Sequence, residues 1–83
     1  MEIRHMQYLV TIAEYRSITR AAEALYISQP SLSHCVAKAE KELGARLFDR
    51  STSPMTLTYA GETFVNLARQ ILSLDQTMQQ EFR

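Results

Sequence analysis

Short helical segments, each with one apolar side, follow one another closely in the first half of this 83-residue chain. Apolar residues recur at intervals of three and four over residues 3–15, 18–26 and 29–43, which is the spacing of one helix face. Only Ile27 and Ser28 separate the second segment from the third. A short helix joined by so tight a turn to a longer one is the helix-turn-helix arrangement.

Local signals support these boundaries. Ser17 and Ser28 precede the second and third segments and suit the N-cap position, and Pro30 suits the first turn of the third. Gly44 is placed to end that helix. The predicted apolar face of the first helix consists of Ile3, Met6, Leu9, Val10 and Ala13. That of the third consists of Leu32, Val36, Ala39 and Leu43.

The second half of the chain predicts a hairpin and then one long helix. Residues 47–50 and 55–58 are strand candidates, and the Ser, Thr and Pro of 51–54 supply the turn. Residues 59–83 form a helix about 37 Å long, more than the small core can cover. Its heptad-spaced apolar residues are therefore predicted to be a homodimer interface: Phe64, Leu67, Ile71, Leu74 and Met78.

The predicted fold is thus mainly α: a winged helix-turn-helix of three helices and a β-hairpin wing over 1–58, followed by a linker and dimerisation helix over 59–83.

The lone thiol, Cys35, excludes an internal disulfide and favours a reducing cytoplasm. With only His5 and His34 beside it, we expect no metal or cofactor. No stretch approaches the ~18 apolar residues of a membrane span. The absence of a glycine-rich phosphate loop and of a nucleophile with a base argues against an enzyme.

The charge balance of the chain favours binding to nucleic acid only weakly. The net charge is zero, and residues 1–58 carry seven Lys or Arg against six Asp or Glu. Binding to DNA must therefore depend on where the cations lie, and it should weaken steeply with salt.

The leading end of the third helix has side chains suited to base edges. Its N-terminal residues include Gln29, Pro30, Ser31, Ser33 and His34, and residues 29, 33 and 37, with 30 and 34, are predicted to form the exposed side opposite the apolar face. Glutamine pairs in two directions with adenine, serine bonds to bases or phosphates, and proline offers an apolar contact to a thymine methyl. Lys38, further along, is placed to reach the phosphate backbone.

Each of these residues also has an ordinary interpretation. Gln29, Ser31 and Ser33 fit a capped, solvated helix start, and Lys38 fits a solvated face. Arg50 either binds phosphate or pairs with an acidic neighbour such as Glu40. The apolar stripe of residues 59–83 is alternatively buried within one chain. A helical protein-interaction module without DNA binding is the alternative function.

Several motifs in order resemble the N-terminal domain of LysR-type transcriptional regulators: residues 17–25 (SITRAAEAL), 28–33 (SQPSLS), 42–50 (ELGARLFDR) and 57–61 (LTYAG). The resemblance implies a cytoplasmic, nucleoid-associated regulator that binds promoter DNA as a homodimer or tetramer. It implies antiparallel pairing of the linker helices and a C-terminal effector domain beyond this segment. It also implies that Gln29, Pro30, Ser33 and His34 approach bases or phosphates.

The chain departs from the family at three positions. His34 stands where the family usually has Arg, and histidine is a weaker, pH-dependent donor. The wing tip near Ser53 lacks the Arg that commonly enters the minor groove. Arg16 replaces a frequent Gly and is a possible extra phosphate contact. Tyr26 lies in the turn between the two helices, where a positive φ would cost roughly 1 kcal/mol.

Overall fold

A computed structural model describes all residues from Met1 to Arg83. The chain contains four helices and one short antiparallel hairpin: α1 (Ile3–Tyr15), α2 (Ile18–Leu25), α3 (Gln29–Leu43), β1 (Phe48–Asp49), β2 (Thr56–Leu57) and α4 (Tyr59–Glu81). This order confirms the predicted three helices, wing and long final helix.

Side-chain caps begin three of the helices, because a helix leaves its first backbone N–H groups without internal partners. Ser17 Oγ accepts from the Arg20 N–H at 3.2 Å at the start of α2. Ser28 Oγ accepts from the Ser31 N–H at 3.2 Å at the start of α3. The predicted caps are confirmed, and Thr58 caps α4 in the same way.

Each of the first three helices ends at a residue whose backbone lies in the left-handed region, with a positive φ. Gly44 ends α3 at φ 68°, as predicted. Arg16 ends α1 at φ 54° and Tyr26 ends α2 at φ 58°. These two side chains carry a Cβ in a region that disfavours it, at a cost of about 1 kcal/mol each.

The main core lies where α1, α2 and α3 cross. Leu9, Ile12, Leu32 and Val36 are completely buried in it, and Ala21 lets the helices approach closely. The prediction for α1 was incomplete, because the sequence indicated one apolar stripe and missed Ile12.

Helix α1 also packs against α4 through a second side. Val10 joins Val65 and Ala68 of α4 in a separate small cluster, with Met6 half-buried beside them. Helix α4 therefore has an inner side that holds it against the rest of the domain, which the heptad pattern did not reveal.

The hairpin is shorter than the predicted strands. Phe48 pairs with Leu57, and Asp49 with Thr56. Leu47 lies just outside β1, and its N–H donates to the Glu40 carboxylate at 2.7 Å. Thr58 lies just outside β2, where its N–H donates to the Leu47 carbonyl at 3.0 Å and its side chain caps α4. Glu40 lies 4.0 Å from Arg46, and Arg50 takes part in none of the salt bridges of the protein, so the suggested pairing of Glu40 with Arg50 is wrong.

One predicted core residue lies at the surface. Leu43 is 49% exposed, because the last turn of α3 extends past the helices that cover Leu32 and Val36. It lines an apolar groove beside the start of α4 instead.

Candidate nucleic-acid interface

The leading turn of α3 projects from the body of the protein. Gln29, Pro30, Ser31 and His34 are exposed, and Ser33 is half-buried. Because Leu32 and Val36 anchor α3 in the core, these polar side chains at its leading end have a fixed orientation. The turn is therefore shaped to enter a groove of a duplex by its N-terminal end.

Hydrogen bonds pre-arrange two of these side chains. Gln29 Nε2 donates to Ser33 Oγ at 2.9 Å, which leaves the Gln29 carbonyl oxygen free to accept. Ser31 Oγ accepts from Ser28 Oγ at 2.7 Å and so belongs to the cap. Gln29 and Ser33 thus form one polar pair capable of both donating and accepting, whereas Ser31 is tied to the helix start.

An open cleft of about 610 Å³ lies between the start of α2, the start of α3 and the wing. It brings together Gln29, Arg50 and Ser53, three of the residues predicted from sequence. Arg16 and Arg20 line it as well, and no carboxylate does. A cleft with three guanidinium groups and no opposing charge suits a phosphate backbone.

Arg20 was missed by the sequence reasoning. It lies in the first turn of α2, three residues after the Ser17 cap, and its guanidinium lies 5.5 Å from the centre of the Tyr15 ring. Its position in the first turn of a predicted helix was the signal that the sequence offered, whereas its proximity to the wing could be seen only in the structure. Arg16 donates from Nε to the Met55 carbonyl at 3.1 Å, so this side chain also joins the end of α1 to the wing.

The wing tip is held by short-range hydrogen bonds. The Asp49 carboxylate accepts from Ser51 Oγ at 2.6 Å and from the Ser51 N–H at 2.9 Å. These two bonds lower the pKa of Asp49 below its ordinary value. Ser53 lies at the exposed tip. Arg50 forms no ion pair, so its charge is available.

Lys38 and His34 lie elsewhere. They line a second groove of about 460 Å³ between α3 and the start of α1, together with His5, Cys35 and Glu42. The predicted site residues therefore occupy two neighbouring surfaces on either side of the leading end of α3.

Cys35 is half-buried in the wall of this second groove. Burial raises the pKa of its thiol, and the charge of Lys38 partly opposes the rise. The thiol form of Cys35 is therefore favoured over the thiolate. No group of three or more His, Cys, Asp or Glu side chains is arranged to hold a metal ion.

The predicted dimer stripe is largely exposed. Leu67, Ile71, Leu74 and Met78 are between 39% and 69% exposed, while Phe64 is half-buried. The alternative that the stripe is buried within one chain is therefore wrong for the four exposed residues.

No helix has the combination of length and apolar character needed to cross a bilayer.

Fold and surface together define a winged helix-turn-helix DNA-binding domain. The sequence profile of the bacterial regulatory helix-turn-helix protein, lysR family, matches residues 3–62. The chain belongs to the LysR family of regulators.

Curated relatives agree with this assignment. BudR of Klebsiella aerogenes is 45% identical over 83 residues, which is all of this chain and 58% of BudR. BsdA of Bacillus subtilis is 47% identical over 73 residues, 87% of this chain and 25% of BsdA. The chain thus spans about a quarter to somewhat over half the length of these relatives.

Solved structures with the same fold include two DNA complexes. The BenM DNA-binding domain bound to benA site 1 DNA has a TM-score of 0.91 and 39% identity, covering 100% of this chain and 94% of that one. The CbnR DNA-binding domain bound to DNA has a TM-score of 0.93 and 35% identity, covering 100% and 95%. A protein-interaction module without DNA binding is not favoured by these relationships.

Proposed function

We propose that this chain binds double-stranded promoter DNA sequence-specifically, as the DNA-binding part of a transcription regulator and not as an enzyme. The leading turn of α3 lies in the major groove, with Gln29 and Ser33 against base edges. The observation that carries this proposal is the exposed polar turn of α3 beside a cleft that holds three arginines and no carboxylate.

The chemistry of the side chains assigns each of them either to the bases or to the phosphates of the DNA. Gln29, Pro30 and Ser33 read bases, since amide, apolar and hydroxyl groups match the edges exposed in the major groove. Lys38, Arg50, Arg16 and Arg20 hold phosphates and position the helix. His34, Ser31 and Ser53 are assigned to the rim of the interface.

The protein acts as a homodimer, with a tetramer as a further state of a full-length protein. Residues 1–58 form the DNA-binding unit, and residues 59–83 pair through Phe64, Leu67, Ile71, Leu74 and Met78. The exposure of most of this stripe supports the assignment. We place its action in the cytoplasm, on the nucleoid, where promoter DNA lies.

Selection of preferred duplexes from random DNA, followed by anisotropy titrations at two salt concentrations, tests the proposal. Affinity for the selected duplex should exceed that for random DNA and should fall steeply with salt. A folded chain that binds neither duplex at low salt would refute it.

Gln29→Ala tests base reading. The variant should lose about 1–3 kcal/mol of binding free energy on the selected duplex and less on random DNA. Gln79→Ala is the matched control, because Gln79 also donates to a side chain four residues away on an exposed helix surface. Equal losses on both duplexes would contradict a base-reading role.

A further inference from the structure

The only two histidines of the protein line the same groove. His5 of α1 and His34 of α3 both border the groove of about 460 Å³ between these helices. We call it the histidine groove, and Lys38 and Glu42 border it as well. His34 and Lys38 are exposed, whereas His5 is half-buried. Because imidazoles gain or lose a proton between about pH 5 and pH 8, the charge of this groove depends on pH.

The histidine groove lies across α3 from the cleft of Arg16, Arg20 and Arg50, which we call the arginine cleft. Gln29 borders the arginine cleft and Lys38 the histidine groove, and their spacing places them about 180° apart around α3. A helix with its side chains is about 10–12 Å across and nearly fills a major groove about 12 Å wide. When α3 lies in the major groove, one phosphate backbone therefore passes the arginine cleft and the other passes the histidine groove.

We propose that the histidine groove binds a phosphate of the second DNA strand, and that protonation of His5 and His34 strengthens this contact. The inference rests on the DNA binding proposed above and adds to it a second phosphate site and a dependence on pH. Permanent charge thus holds one strand through three guanidinium groups, and largely titratable charge holds the other.

The other titratable groups of the histidine groove do not replace the histidines. The terminal amine of Met1 lies 3.9 Å from the Glu42 carboxylate, so these two charges offset each other. Burial raises the pKa of the Cys35 thiol, which therefore stays neutral. Tyr8 adds a phenol, and phenols lose their proton only near about pH 10. The turn after α2 adds no charge, so Lys38 is the one permanent cation left for a phosphate.

The charge of the ligand sets the direction of the pH dependence. A phosphate attracts a protonated imidazole more strongly than a neutral one, so the complex binds more protons than its separated components. Lowering the pH through the imidazole range therefore tightens DNA binding, and raising the pH loosens it. Arginine and lysine keep their charge throughout this range, so the affinity that persists at high pH comes from them.

Affinity for DNA at two pH values tests the proposal. Dissociation constants for the selected duplex are measured by anisotropy at about pH 6.0 and about pH 7.5, at one ionic strength. The wild-type chain should bind about tenfold more tightly at the lower pH, with roughly threefold from each histidine. The double variant His5→Gln, His34→Gln should change by less than about twofold. It keeps the Met1 amine, so the difference between the two proteins isolates the imidazoles.

Gln7→His, added to the double variant, is the matched control. It returns an imidazole to an exposed position of α1 outside the groove and should not restore the pH dependence. Restoration would show that a histidine anywhere on α1 suffices, and it would overturn the site. Wild-type pH dependence in the folded double variant, or in either folded single variant, would overturn the proposal as well. Far-UV circular dichroism checks the folding of each variant.

Random DNA separates a phosphate contact from base reading. Phosphates carry no sequence information, so the pH effect should be the same on the selected and the random duplex. An effect confined to the selected duplex would show that the histidines read a base, and the phosphate site would be wrong.

The imidazole proton resonances of the wild-type chain report on each histidine directly, and the two single variants assign them. At about pH 7, the selected duplex should move both resonances toward their low-pH positions, whereas inorganic phosphate at equal phosphate concentration should not. Equal movement with inorganic phosphate would assign the groove to a free anion, and unmoved resonances in the DNA complex would leave it without a ligand. Either result overturns the proposal.

The outcomes also separate this inference from the proposed function. Normal affinity without pH dependence removes the histidine site and leaves sequence-specific DNA binding intact. Absence of binding at both pH values refutes the proposed function and this inference with it.

Discussion

Gly61 lies in the first turn of α4, where that helix passes the start of the wing. A Cβ at this position would lie 2.0 Å from the Leu47 carbonyl oxygen and 2.9 Å from the carbonyl carbon. The carbonyl cannot easily move away: it accepts from the Thr58 N–H at 3.0 Å, and the Leu47 N–H is held by Glu40. Gly61→Ala must therefore push α4 outward by about 1 Å.

The magnitude follows from three contributions. Overpacking costs about 1–3 kcal/mol, and loss of two hydrogen bonds, from the Thr58 N–H to the Leu47 carbonyl and from the Gly61 N–H to Thr58 Oγ1, costs about 1 kcal/mol each. Alanine returns about 1 kcal/mol of helix propensity. The expected net loss is about 2–4 kcal/mol, or roughly 10–30 °C in melting temperature for a domain of this size.

Thermal unfolding followed by far-UV circular dichroism at one protein concentration gives the measurement, since dimerisation makes the melting temperature concentration-dependent. Gly44→Ala is the matched control. Gly44 has φ 68° and open space around its missing Cβ, so only about 1 kcal/mol should be lost. A Gly61→Ala variant that melts at or above the control would refute the reasoning.

Three further predictions concern other parts of the molecule. Ile71→Asp should convert the dimer to monomer in sedimentation, whereas Gln76→Asp should not; an intact Ile71→Asp dimer would remove the stripe as the interface. Arg16→Gly should change stability by less than about 1 kcal/mol, because relief of left-handed strain offsets the lost hydrogen bond to the wing. It should also lower the salt slope of DNA binding by about one phosphate contact, and an unchanged slope would assign Arg16 a purely structural role. Asp49→Asn should destabilise the fold at neutral pH. The lowered pKa of Asp49 means that its bonds to Ser51 stabilise the fold above the ordinary pKa and are lost as pH falls through the lowered one. Melting curves of the two proteins should therefore converge in acid, and a constant gap would contradict this account.

Features that depend on neighbouring residues were predictable from sequence. Ser17 and Ser28 are caps, and Gly44 is a helix stop, because each acts on backbone groups within four residues of itself. The start of α3 was predictable for the same reason, since the Ser28 cap and Pro30 in the first turn both act locally.

Features that depend on which elements meet were not predictable. Periodicity shows that a helix side is apolar but not what will cover it. Leu43 therefore appeared to belong to the core, although it is 49% exposed and lies at the edge of an apolar groove beside α4. Arg20 and Arg50 lie 30 residues apart and share a cleft only because the wing folds back beside α2.

The sequence by itself determined the helices, the turn between α2 and α3, and the side of α3 that faces outward, because these follow from local backbone and spacing rules. Tertiary structure alone decided that α4 has an inner side held by Val10 and an outer side left bare, and that three arginines converge beside Gln29. Such choices are made by contacts between residues far apart in the chain, whose partners no local pattern records.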